Sequence, residues 1–212
     1  VLFIYAIFLL ISTYLLINKP HQSQYTLANY YQATKEMLID KEFISRTIIL
    51  GFCYVQGIIF NLTAPFWVTN VFHQSPNVFG QSALFLGVGY FLGNLLNRIL
   101  LKKVTEIYLV GFGLLIGVSF SIVFSLQNNF LNIYEVATFI AIINFGAGFI
   151  FANIMVGNLS KYAKFAGICT ALQGSLMLII GSIISFIVSL IKTPTIHQIA
   201  IFYITLTFLQ LI

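Results

Sequence analysis

Charge is what this sequence has least of. Ten Lys or Arg and five Asp or Glu make up 7% of 212 residues, where ordinary soluble domains carry about a quarter. The chain is 59% hydrophobic and 16% aromatic, with a mean hydropathy of +0.99, so much of its surface must face lipid rather than water. A soluble enzyme is excluded. Cysteine is also scarce: Cys53 and Cys169 lie far apart inside apolar runs, with no Cys or His at metal-ligand spacing, and read as small packing residues. His21, His73 and His197 fall in loops with no pair at ligand spacing, so neither a metal nor nucleophilic chemistry is expected. No glycine-rich loop ends in Lys-Ser or Lys-Thr, which removes ATP hydrolysis, and no cofactor is expected. Net charge is +5 and the pI near 9.2, yet the basic residues are scattered among loops instead of forming one face, which argues against nucleic acid as a partner.

What remains is long apolar runs. A β-barrel needs stretches of about ten residues alternating apolar and polar, whereas these runs are unbroken and nearly twice that long. The expected fold class is an all-α multi-pass membrane protein. A bilayer asks for about 20 apolar residues per helix, and seven segments qualify: 1–17, 46–69, 78–98, 106–126, 135–157, 166–191 and 196–212. The first lacks a positive leader and is followed by Asn18, Lys19 and Pro20, so it reads as an internal helix and not as a signal peptide. With Val1 opening one apolar run and Ile212 closing another, both ends read as cut.

Basic residues set the orientation, because short cytoplasmic loops retain them. Lys19, Lys35, Lys41 and Arg46 lie between the first two spans, and none between the second and third. Arg98, Lys102 and Lys103 follow the third span, none follow the fourth, Lys161 and Lys164 follow the fifth, and only Lys192 follows the sixth. The alternation places residues 18–45 on the cytoplasmic side. Within that loop Leu27, Tyr30, Tyr31, Thr34 and Leu38 form a helical stripe opposite Gln32, Lys35, Glu36 and Asp40, the spacing of a helix lying on the inner membrane surface.

Helices gain little in lipid from apolar contact alone and associate where small residues let backbones approach. Gly89 and Gly93, Gly113 and Gly117, Gly148 and Ala152, and Gly181 and Ser185 are each four apart, and Ser175, Ser182 and Ser189 repeat every seven residues. These positions predict the seams of a bundle. Pro65 interrupts the second span and deprives the Asn61 carbonyl of its intrahelical donor, which predicts a bend at Asn61 and Pro65. Ser75 and Pro76 predict a clean start for the third span.

Every charged residue lies at a span edge or in a loop, so no carboxylate stands ready for a proton relay. The polar side chains at membrane depth are uncharged: Gln56, Asn61, Thr63, Asn144, Asn153, Thr170 and Gln173. Gln56, Phe60, Thr63 and Trp67 share one helical face, with Asn61 turned away, and Asn144 and Asn153 point in nearly opposite directions. Gln56, Phe60, Thr63, Trp67, Asn144 and Gln173 form the candidate lining of a cavity for amphipathic organic solutes. Hydrogen bonding between helices is the other role open to these amides.

At this point the chain resembles the major facilitator superfamily, in particular its Bcr/CflA branch of bacterial drug-resistance transporters. Thr63-Ala64-Pro65-Phe66 with Ser75-Pro76 and Phe79-Gly80 is similar to that branch's seventh helix and outer turn. Gly93, Asn97, Arg98, Lys102 and Lys103 resemble the superfamily's Gly-x-x-x-Asp-Arg-x-Gly-Arg-Arg cytoplasmic loop in its degenerate second copy. Ile150-Phe151-Ala152-Asn153 and Ala166-Gly167, with Ala171-Leu172 and Gly174, resemble the stretch from helix ten to helix eleven. Asn97 stands where the family has an acid, Leu100 where it has Gly and Ala152 where it has Pro, which speaks against an inner-gate charge pair at position 97.

The resemblance implies the C-terminal six-helix half of a major facilitator fold plus helix six. Residues 1–17 would be a truncated helix six, 18–45 the central cytoplasmic loop with its amphipathic helix, and 46–212 helices seven to twelve. It further implies a secondary transporter in the bacterial inner membrane. Such a protein exports drugs or small organic metabolites in exchange for protons, with helices one to five as the partner half. A metabolite importer of the same superfamily and an inactive truncated membrane protein are the alternatives. The orientation is directly testable: a cysteine placed by Lys35→Cys should react with a membrane-permeant maleimide and not with an impermeant one added outside. Labelling from outside would reverse the topology.

Overall fold

The computed structural model describes residues 7, 8, 10–12, 26–127, 129–191 and 195–211. Residues 7, 8 and 10–12 of the first expected span are helical, with Ile7, Phe8, Leu10 and Ile11 exposed; the rest of that span, with Lys19, His21 and Lys192, lies outside the described residues. The described chain continues as α1 (Leu27–Ile39), α2 (Lys41–Phe66), a π-helical turn (Trp67–Val71), α3 (Asn77–Leu100) and α4 (Glu106–Leu126). It ends with α5 (Ile133–Lys161), a short 3-10 turn (Ala163–Phe165), α6 (Ala166–Ser189) and α7 (Ile196–Leu209). There is no strand among the described residues.

Five described stretches are long and apolar enough to cross a bilayer: Lys41–Val71, Asn77–Leu100, Glu106–Leu126, Ile133–Lys161 and Ala163–Ser189. Together they give the protein an all-helical, multi-pass membrane architecture. α7 has 14 residues, about 21 Å at 1.5 Å per residue, and is shorter than the ~30 Å hydrocarbon layer. Expected ends shift where polar residues extend a helix beyond its apolar run. α2 begins at Lys41, inside the stretch expected to be loop, because Asp40 caps it by accepting from the Glu42 amide at 3.1 Å. The same Asp40 ends α1, its amide donating to the Glu36 carbonyl, so α1 and α2 meet at one extended residue. α5 runs through 29 residues, about 44 Å, and carries Asn158 and Lys161 past the expected end.

The amphipathic α1 forms as expected and starts with a capping box at Thr26 and Asn29. Two other residues fasten it to the bundle. Ala33 and Met37 are the residues turned inward, Met37 sharing a cluster with Phe43 and Cys169, while Leu27, Tyr31 and Leu38 of the expected stripe are exposed. The apolar stripe therefore faces outward, where a bilayer surface could receive it.

α2 and α5 are the central pair. α3 and α4 lie along α5, α6 and α7 lie along α2, and α4 touches α7 behind them. In chain order the helices form two units, α2-α3-α4 and α5-α6-α7, and the second and third helices of each unit pack on the first helix of the other. Exchanging the units maps each of these contacts onto its counterpart. The apolar core gathers Phe60 and Trp67 of α2 and its π turn with Phe124 of α4, Ile140 of α5 and Tyr203 of α7.

Glycine seams hold the pair of units together. A Cβ on Gly89 or Gly93 would strike the Ala141 or Phe145 carbonyl of α5, and one on Gly148 would meet the Tyr90 and Asn94 backbone of α3. Gly113 and Gly146 face each other between α4 and α5, and Gly181 lies against Tyr54 and Ile58. Gly51, not among the expected seam residues, packs on Ile180. The serine repeat is the exception to the expected seams: Ser175, Ser182 and Ser189 are exposed, and each hydroxyl donates to a carbonyl of its own helix. Such internal bonding satisfies a hydroxyl without a neighbouring helix.

Pro65 leaves α2 helical as far as Phe66, and the backbone then widens into the π turn at Trp67–Val71. α3 starts at Asn77, one residue beyond Pro76. Gly93→Ala should destabilise the protein by about 1–3 kcal/mol through overpacking against α5. Gly87→Ala, where a Cβ meets nothing within 4 Å, should be neutral or stabilising; thermal unfolding in detergent compares the two.

Candidate functional site

The four residues expected to share a face of α2 do share it, but that face turns into the six-helix body. Gln56, Phe60, Thr63 and Trp67 are each at most 2% exposed. Phe60 stacks on Phe79 at 6.3 Å, Thr63 donates to the Ile59 carbonyl, and the Tyr203 hydroxyl of α7 donates to the Gln56 backbone carbonyl. The physical reason is the aromatic content of the face, since burying Phe60 and Trp67 among helices gathers more van der Waals contact than a wet cavity would. Gln56 goes in with them, and neither atom of its side-chain amide has a protein partner. Gln173 on α6 is likewise enclosed, with Nε2 unpartnered.

The other side of α2 is open. Tyr54, Asn61 and Pro65, spaced by seven and four residues, form one exposed stripe. Leu50 and Cys53 pack toward α5 while Gly51 and Ile58 pack toward α6, which aims the stripe into the crevice between those two helices. Asn144 of α5 joins it from the side. One turn on, Ala147 packs with the α2 residues and Gly148 faces α3, so Asn144 points between α2 and α3. Asn94 of α3, half-buried beside Gly148, completes the set.

These three asparagines use their amides alike. Asn61, Asn94 and Asn144 donate from Nδ2 to the carbonyls of Gly57, Tyr90 and Ile140, at 3.0, 2.8 and 2.9 Å. A carbonyl can only accept, so each bond uses one N–H of the amide and leaves its second N–H and its Oδ1 over. The crevice thus offers uncharged hydrogen-bonding amides, each with an acceptor and a remaining donor, beside the phenol of Tyr54. Tyr54 and Asn94 were absent from the sequence-derived set. The signal for Tyr54 was its seven-residue step to Asn61, hidden because Gln56 and Trp67 drew attention to the opposite face.

At the end of α3 the loop motif divides. Gly93 and Asn97 turn into the seam with α5, whereas Arg98, Lys102 and Lys103 are exposed and form no ion pair among the described residues. Asn97 and Asn153 form a reciprocal amide pair, Asn153 Nδ2 donating to Asn97 Oδ1 at 2.8 Å and Asn97 Nδ2 to Asn153 Oδ1 at 3.4 Å. Asn153, the neutral residue facing away from Asn144, therefore belongs to a helix joint. Nearby, Asn158 of α5 donates to the Thr47 hydroxyl of α2 at 3.4 Å, and the Cys169 thiol approaches the Asn158 carbonyl.

Charges cluster just beyond. Lys161 pairs with Asp40 at 2.7 Å and also with Glu42, Arg46 holds Glu42 at 2.9 Å, and the Tyr162 hydroxyl donates to Asp40. The Lys161 and Tyr162 donors hold the Asp40 carboxyl down at about 2, so it stays ionised across the physiological range. Burial, with the bond to Asp40, pushes the Tyr162 hydroxyl up to about 12 and keeps its proton in place. The contacts of Asp40 with Lys161 and Tyr162 therefore do not switch with physiological pH. No group of three metal-ligating side chains occurs among the described residues. A scan against protein-family models finds no match, and a search of the curated proteins finds none.

The amide joint gives a double-mutant prediction. Asn97→Leu alone leaves the Asn153 amide buried without that partner and should cost about 1–3 kcal/mol of stability, whereas the Asn97→Leu, Asn153→Leu pair should recover most of it. Additive losses in a melting-temperature cycle would show that the two amides are not coupled.

Proposed function

We propose that this chain is the C-terminal half of a major facilitator type secondary transporter that exports small organic solutes, including hydrophobic drugs, across a bacterial inner membrane by alternating access. One observation carries the reading: two three-helix units exchange partners around the α2 and α5 pair. Three crossings per unit place the second unit upside down relative to the first, and nested three-plus-three inverted repeats of this kind build each half of such transporters. The asparagine crevice between α2, α3, α5 and α6 supports it, because substrate sites in these folds lie at mid-membrane on the face that meets the other half.

The chemistry of the crevice narrows the solute. Amides without neighbouring carboxylates suit neutral compounds with hydrogen-bonding groups of either kind, held beside Tyr54 by aromatic contact. No carboxylate lies deep in α2 to α7, so the proton that drives export binds in the other half, helices one to five of the complete protein. Rocking of the two halves about the crevice then exposes the solute to either side of the membrane. This chain supplies a solute surface and a rigid six-helix body.

The test uses the full-length protein in cells loaded with a hydrophobic dye. Expression should lower dye accumulation, and collapse of the proton gradient should restore it. Asn144→Leu should reduce export about tenfold by replacing one acceptor with a group that cannot bond the solute. Accumulation that ignores the gradient would remove proton-driven export, and faster solute entry on expression would make the protein an importer.

A further inference from the structure

The cytoplasmic ends of α2, α4 and α5 enclose a pocket of about 210 Å³ that the transport reading does not use. It is smaller than the ~300 Å³ at which sites for drug-sized ligands begin. Arg46 and Glu106 both line it, and one turn deeper on the same helices stand Ile49 and Val110, with Ile154 below Gly157 on α5. The pocket is therefore charged where the spans leave the membrane and apolar where they enter it, apart from the Asn153 amide, which is already paired with Asn97.

The two charges do not meet each other. Arg46 spends Nη2 on Glu42, and its Nη1 lies along Gly157, where an added Cβ would approach within 3.3 Å. The Glu106 carboxylate forms no ion pair or hydrogen bond among the described residues, although an arginine lines the same small space. As the first residue of α4, Glu106 would gain from the helix dipole alone. The dipole explains a carboxylate at that position but not an arginine lining the same pocket without pairing to it. A zwitterion with an apolar tail satisfies the whole lining.

We infer that this pocket holds the headgroup of a membrane phospholipid bearing a primary ammonium, a phosphoethanolamine. The phosphate meets the Arg46 guanidinium in a charge-assisted pair, the ammonium donates to Glu106, and the first carbons of the lipid run over Val110 and Ile154. A trimethylated ammonium cannot donate hydrogen bonds, and a glycerol headgroup carries no cation for Glu106. The inference rests on the membrane placement of α2, α4 and α5 and not on transport, so failure of either reading leaves the other standing.

The experiment is native mass spectrometry of the purified full chain, stripped of lipid and re-equilibrated with phosphatidylethanolamine, phosphatidylcholine or phosphatidylglycerol of one acyl composition. Phosphatidylethanolamine should be retained about tenfold better than phosphatidylcholine. Glu106→Gln should abolish that preference while leaving phosphatidylglycerol retention unchanged, and Glu106→Lys should turn the preference toward phosphatidylglycerol. Glu106 is exposed and packs on nothing essential to the fold, and a melting temperature for each variant, expected to fall slightly for Glu106→Lys at the helix start, separates lost binding from lost folding. Equal retention of the three lipids by the original protein, or a preference that survives Glu106→Gln, would overturn the inference. So would displacement of the lipid by soluble phosphoethanolamine at equal concentration.

Discussion

The architecture depends on backbone meeting backbone. Inside a bilayer a leucine gains nothing by leaving lipid for protein, so cohesion must come from dispersion at very short range and from bonds that lipid cannot offer. α5 is where that requirement is met most fully. Its Ala141 and Phe145 carbonyls lie under glycines of α3, Gly146 lies against Gly113 of α4, and Gly148 receives the backbone of α3 in return. Removing the Cβ at these positions lets three helices lie as one slab. α6 joins α2 by the same device at Gly51 and Gly181, with Ile180 and Tyr54 filling the space beside them.

Polar joints add direction to this cohesion. The asparagine pair at 97 and 153, the Asn158 to Thr47 bond and the charges around Asp40 all stand toward one end of the bundle, where α2 begins and α5 ends. At the other end the Tyr134 hydroxyl donates to Gln81 between α5 and α3, and no ion pair stands there among the described residues. The body is thus tied more firmly on its basic side, the side that the distribution of Lys and Arg assigns to the cytoplasm. Middle depths carry amides without charges, which limits both the penalty of holding them in hydrocarbon and the chemistry they can perform.

Much of this was legible from residue order, for physical reasons that differ by feature. Apolar run length locates α2 to α6 because membrane thickness imposes it, and the glycine pairs at 89 and 93 and at 113 and 117 announce seams because nothing else needs a missing side chain twice on one face. Helix ends were less legible where Lys41, Glu42 and Lys161 prolong a helix into water, since hydropathy stops at the first charge. Which side of α2 faces inward was not legible at all. Gln56 and Asn61 are both amides in an apolar run, and only the positions of Tyr203 on α7 and Gly181 on α6 decide that the first is enclosed and the second open. The serine repeat misled for a related reason: a hydroxyl that can bond its own helix looks identical in sequence to one that bonds a neighbour.

Asp40 is a hinge pin as well as a cap. One residue closes α1, opens α2 and grips the far end of α5 through Lys161 and Tyr162. Any tilt of α5 must therefore drag the α1 and α2 elbow with it, and the greasy outer ridge of α1 would plough through the headgroup layer as it moves. Tilting of the six-helix body is in this way geared to the lipid surface, and the stiffness of that surface becomes part of the work done in moving it.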